Sequence, residues 1–181
     1  MREISLHIMD VIENSIRAQA SMIAVTIAAD VKRDVLRIVI EDNGTGLKVS
    51  PEAALDPFYT TKRGKRTGLG LSLFRAAAEQ AGGRLTLGDS ELGGVAVTAE
   101  MELSHIDRNP VGDLAATLST LVCTNPEIDF RFRLVLGGRE CRIRVPELAK
   151  DMGAVPGDSI AVARKVMEKI NAELEAARVL T

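Results

Sequence analysis

The stretch Ile40-Glu41-Asp42-Asn43-Gly44-Thr45-Gly46-Leu47 closes a run, Val35-Leu36-Arg37-Ile38-Val39-Ile40, that is rich in β-branched residues. A β-branched run stopped by Asp-Asn-Gly is the pattern of a strand delivering an acidic loop. At the strand end Asp42 can accept a hydrogen bond from a ligand. Gly44 and Gly46 let the backbone approach that ligand with no Cβ between them. Taken alone, the loop also fits a plain turn, because Asn-Gly is a favoured turn dipeptide.

Before the loop, residues 4–18 repeat at the helical period. Ile4, Ile8, Val11 and Ile12 share one face, and Asp10, Glu13, Asn14 and Arg17 share the other. Such a polar face is often no more than a solvated one. Asn14, however, offers a neutral oxygen suited to Mg²⁺, with the carboxylate of Asp10 one turn earlier. Residues 23–28 and 35–40 alternate as two strands of an antiparallel hairpin that feeds the Asp42 loop.

After the loop, residues 47–67 hold two prolines and the basic cluster Lys62-Arg63-Gly64-Lys65-Arg66, and read as a long loop. Thr67-Gly68-Leu69-Gly70-Leu71-Ser72 then leads into a helix over residues 73–81. A glycine loop at a helix N-terminus presents free N–H groups and the positive end of the dipole, a place for an anion such as phosphate. Residues 85–87 and 95–103 complete the set as two more strands. Neither the Gly-x-x-x-x-Gly-Lys-[Ser/Thr] loop nor a full dinucleotide fingerprint is present, so the nucleotide site is of another type.

The combination resembles the ATP-binding domain shared by sensor histidine kinases, type II topoisomerases, heat-shock ATPase chaperones and mismatch-repair ATPases. Asp10-Val11-Ile12-Glu13-Asn14-Ser15 is similar to the N box and Asp42-Asn43-Gly44-Thr45-Gly46 to the first glycine box. Pro57-Phe58-Tyr59-Thr60-Thr61-Lys62 is similar to the F box and Thr67-Gly68-Leu69-Gly70-Leu71 to the second glycine box. The resemblance covers residues 1 to about 103 and is closest to the histidine kinases around residues 56–73. It implies a two-layer α/β sandwich with a mixed, mainly antiparallel sheet and helices on one face. It also implies ATP and Mg²⁺ as ligands: Asp42 on the adenine amino group, Asn14 on the metal, and Gly68 and Gly70 around the phosphates. Phe58, Lys62, Thr67, Leu69, Gly44 and Gly46 complete the expected nucleotide-binding set. Asp10 stands where several branches carry a glutamate that activates the nucleophile, one methylene shorter here. Many relatives of the topoisomerase branch place a threonine after the glycine that opens the last strand, whereas Gly94 is followed by Val95. The chain begins nine residues before Asp10, so the helical hairpin bearing a phosphoacceptor histidine is expected elsewhere. His7 is accordingly expected to be a packing or polar-face residue.

Beyond a linker at residues 104–110, the remainder reads as a small α+β accessory or partner-binding region. It comprises a helix over residues 112–123, a hairpin of residues 128–136 and 139–145 about Gly137-Gly138, and a final helix over residues 159–178 capped by Asp158. A formal charge of −2 and 3% aromatic residues argue against nucleic acid as a partner. No apolar run approaches the roughly 20 residues of a membrane span, no signal peptide is evident, and a cytoplasmic location is expected. Cys123 and Cys141 are isolated. The expected function is ATP-dependent transfer of the γ-phosphoryl group to a residue on a partner protein. The alternatives are an ATPase conformational switch and an anti-sigma-like regulatory module, with a homodimer also open.

Overall fold

A computed structural model describes residues 3–55 and 69–180. The first helix, α1 (Ile4–Arg17), leads to the strands β1 (Met22–Asp30) and β2 (Val35–Asp42). The one-turn α2 (Pro51–Ala54) follows, and after the undescribed segment come α3 (Leu69–Gln80), β3 (Arg84–Asp89) and β4 (Val95–Glu102). The chain continues through α4 (Leu114–Thr124), β5 (Asp129–Leu136), β6 (Arg139–Arg144), α5 (Val145–Asp151) and α6 (Ser159–Ala177).

The described strands form one six-stranded sheet in the order β3-β4-β2-β1-β5-β6. Every pair is antiparallel except β1 with β5, which run parallel, so the sheet is mixed as expected. One face is apolar, because alternate residues of a strand point the same way. Ile23, Val25 and Ile27 of β1 stand beside Ile38 and Ile40 of β2 and Phe130, Phe132 and Leu134 of β5, all buried. Onto this face α1 brings Ile4, Ile8, Val11 and Ile12, α3 brings Phe74 and Ala78, and α4 and α6 bring Leu118, Val166 and Ile170. The opposite face shows Arg37 and Arg133 to solvent, and Thr26 and Thr98 are half-buried there.

Several boundaries differ from the expected ones. Helix α3 starts at Leu69, four residues before the expected start, because Leu69 and Gly70 already belong to its first turn. Helix α5 was not expected; Pro146 sits in its first turn, where a missing N–H costs nothing. Asp158 precedes α6 but does not cap it with its side chain, which instead accepts from the Val155 N–H at 2.9 Å.

The accessory region is part of the same sheet. Met22 to Ala29 of β1 pair in register with Asp129 to Leu136 of β5, so the chain on either side of residue 103 shares one core. The expected linker is tied down as well. Ser104 bonds Asp34 through both its N–H and its hydroxyl, and Arg108 Nε donates to the Leu103 carbonyl at 2.7 Å. The carbonyls of Pro110 and Val111 accept from the N–H groups of Ile4 and Ser5. They satisfy donors that the first turn of α1 cannot pair internally.

Candidate nucleotide site

The Asp42 loop lies at the end of β2, and its carboxylate is buried, with 4% exposure. Three donors meet it. Gly44 N–H donates to Oδ1 at 2.9 Å, Val95 N–H to the same oxygen at 3.2 Å, and the Ser15 hydroxyl to Oδ2 at 2.6 Å. Buried carboxylates persist only when so supplied, since an unpaired one would be strongly penalised. Room for this arrangement comes from glycine: a Cβ on Gly94 would lie 2.2 Å from Asp42 Oδ1 and 2.6 Å from Gly44 N. Val95, the residue after Gly94, contributes its backbone N–H to the carboxylate directly.

Asn43 does not face outward to a ligand. Its Oδ1 accepts from the N–H groups of Ser21 and Met22, each at 2.9 Å, and its Nδ2 donates to Ser21 Oγ at 2.9 Å. It locks the loop to the start of β1. Gly44 presses on the end of α1, where a Cβ would meet the Ala18 carbonyl at 2.8 Å, and Thr45 N–H bonds that carbonyl at 3.0 Å. Gly46 has a φ of 75° and open space about it.

Helix α1 supplies the next group. Asn14 is exposed, and among the described residues its amide makes no hydrogen bond. Asp10, one turn earlier, is half-buried, and Gly70 of α3 lies against it, a Cβ there being 3.1 Å from Asp10 Oδ2. Burial raises the Asp10 carboxyl above its ordinary value; the neighbouring charge of Glu13 adds to the rise and Arg17 opposes it. Arg17 itself is paired to Glu13 at 3.0 Å. A carboxylate with raised proton affinity thus meets the first turn of α3, and the Asn14 amide, without a hydrogen bond among the described residues, follows one turn further along α1. A hard cation with water and phosphate ligands is compatible with that donor set.

His7 lies one turn before Asp10 on the same flank of α1, facing α3. It is buried, stacked on Phe74 with ring centroids 5.1 Å apart and 4° between planes, and neither ring nitrogen has a partner among the described residues. Burial lowers its pKa to about 4, so the ring is neutral near pH 7. It is a packing residue.

Of the expected set, the structure brings Asp10 and Gly70 together, with Asn14 one turn further along α1, and separately Asp42 and Gly44. Phe58, Lys62, Thr67 and Gly68 lie outside the described residues, as does the side chain of Leu69. What motif reading missed is the part played by Ser15, quoted only as the last residue of the first motif. Its signal was its position, four residues after Val11 on the apolar flank of α1, where a hydroxyl needs a partner.

The family model described as histidine kinase-, DNA gyrase B-, and HSP90-like ATPase matches residues 2–105. A curated relative, the sensor protein kinase CarS of Pseudomonas aeruginosa, is 31% identical over 106 residues, 55% of this chain and 22% of that protein. The chain therefore spans about a fifth of that relative's length. Among solved structures, the N-terminal domain of a DNA repair protein covers 79% of this chain and 52% of its own, at 16% identity and a TM-score of 0.50, a likeness of fold alone. The ATP binding domain of PrrB from Mycobacterium tuberculosis is 24% identical over 54% of this chain and 64% of its own, with a TM-score of 0.43. With more than half of its residues matched by the family model, the chain belongs to the histidine kinase-, DNA gyrase B- and HSP90-like ATPases.

Proposed function

We propose that the protein binds ATP with Mg²⁺ and transfers the γ-phosphoryl group to a residue on a partner protein. The observation that carries this reading is Asp10, a carboxyl of raised pKa packed against Gly70 and one turn before Asn14. In the proposed transfer a lone pair of the acceptor forms the new bond to the γ-phosphorus. The bond to the bridging oxygen breaks, ADP departs, and the acceptor's proton passes to Asp10. Mg²⁺ on Asn14 would neutralise charge on the β- and γ-phosphates. Asp42 takes the adenine amino group, and Gly70, with Lys62, Thr67, Gly68 and Leu69, attends the phosphates. The histidine-kinase-like family supports the ATP half of this reading.

The same reading assigns the protein to signal transduction in the cytoplasm and gives residues 104–181 the selection of the partner or the pairing of two copies. Among the described residues, no helix is long and apolar enough to cross a membrane.

The test is incubation of the purified protein and its captured partner with γ-labelled ATP. Label should appear on the partner and vanish with Asp10→Asn. Steady phosphate release with no labelled protein would replace the kinase reading with an ATPase switch, in which water is the acceptor. Tight ATP binding with neither outcome would leave a regulatory binding module.

A further inference from the structure

We infer that Ser15 is a positioning residue that makes the site selective for a purine bearing an exocyclic amine. The inference rests on the reading that Asp42 meets the base. A carboxylate offers about four acceptor positions. Oδ1 spends two of them on the N–H groups of Gly44 and Val95, at 2.9 and 3.2 Å. Oδ2 spends one on Ser15, at 2.6 Å. One acceptor position remains on Oδ2, and at 4% exposure the group has little water to fill it.

The hydroxyl of Ser15 has one proton to give. Its two candidate acceptors are Asp42 Oδ2 at 2.6 Å and the Val11 carbonyl at 3.4 Å. The short bond to the charged oxygen prevails. It is the tie between α1 and the carboxylate, reaching across 27 residues of sequence. With both main-chain donors on Oδ1, Ser15 alone among the described residues fixes Oδ2, the oxygen with capacity left. The fixed oxygen accepts and does not donate. It therefore matches an amino group and repels a 6-oxo group, whose lone pairs would face it unpaired. Sites built to pair one polar group reject analogues lacking it far more strongly than apolar pockets reject a change of shape.

Calorimetry on the full chain tests this with three nucleotides: ATP, purine riboside triphosphate, which lacks the 6-amino group, and inosine triphosphate. Ser15→Ala should weaken ATP about ten-fold, the scale of one charge-assisted hydrogen bond. It should leave purine riboside triphosphate unchanged and narrow the preference for ATP over inosine triphosphate. Ser15→Thr, which keeps the hydroxyl, should restore ATP binding. Equal weakening of ATP and the 6-deamino analogue would show a merely structural role and overturn the inference. So would an unchanged ATP affinity in Ser15→Ala. Asp42→Asn separates the two levels of argument: it should abolish the preference for ATP over the 6-deamino analogue. If the preference survives in Asp42→Asn, the reading of Asp42 itself is overturned. If it is lost there but intact in Ser15→Ala, only the role of Ser15 is overturned.

Discussion

Gly94 matters to Asp42 as much as any of its donors, because it is the space the carboxylate occupies. A methyl at residue 94 would intrude to 2.2 Å on Oδ1 and 2.7 Å on the Asp42 carbonyl, both of which are fixed by hydrogen bonds. Gly94→Ala should therefore lower ATP affinity ten-fold or more by calorimetry, whereas Gly88→Ala, with nothing within 4 Å, should match the wild type. His7 makes a second prediction at this scale. Its pKa falls from 6.5 to about 4 on folding, so the unfolded chain binds a proton that the folded one refuses. Stability from the neutral ring is complete above pH 6.5 and is lost as pH falls toward 4, at about 1.4 kcal/mol per unit. Asp10 works with the opposite sign: its raised pKa favours the fold at low pH, and that contribution disappears as pH rises. The informative quantity is thus the difference between wild type and His7→Phe in urea unfolding. That difference should fall away between pH 6.5 and 4 and stay constant above.

Among the elements, α4 and α6 test what a cap contributes. Asp113 accepts from the Ala116 N–H at 2.9 Å and satisfies one of the free donors of α4, so Asp113→Ala should cost about 1 kcal/mol in urea unfolding. Asp158 holds Val155 rather than a donor of α6, and Asp158→Ala should cost less. These elements were unequally legible in the sequence. Strands β1, β2 and β4 could be read to within two residues because one face of each alternates cleanly with the other. The start of α3 was not legible, since Gly70 reads as loop until Asp10 is seen packed against it. Helix α5 was hidden because Val145 extends the alternating run of β6 and only the following Pro146 breaks it. In the site, Asp10, Asn14 and Asp42 were singled out from the helix face, the strand end and the resemblance of their motifs. The bond from Ser15 to Asp42 was not, because no local pattern announces a partner 27 residues away.

For the whole molecule, the decisive junction is β1 with β5. Alternation along residues 128–136 states that one face is apolar, but any strand could have been the neighbour, and the choice of β1 is visible only in three dimensions. That choice puts Phe130 beside Ile23 and Phe132 beside Val25, so the strand leading into the Asp42 hairpin is paired along both edges. Without β5, β1 would be an edge strand with unpaired backbone groups beside an uncovered apolar face. The core has no seam at residue 103: Leu114, Leu118, Val166 and Ile170 belong to the same cluster as Ile8, Ile12 and Ile40. Phe130 is fully buried, and Phe130→Ala should cost about 3–5 kcal/mol through lost burial and the cavity left behind. Because the sheet is continuous, that loss should be shared by the nucleotide site. Followed in urea, far-UV circular dichroism and ATP binding should fail at one midpoint in the wild type and move together to a lower one in Phe130→Ala. A dichroism transition that precedes the loss of binding would show that residues 104–181 unfold as a separate unit and that the β1–β5 pairing does not couple them to the site.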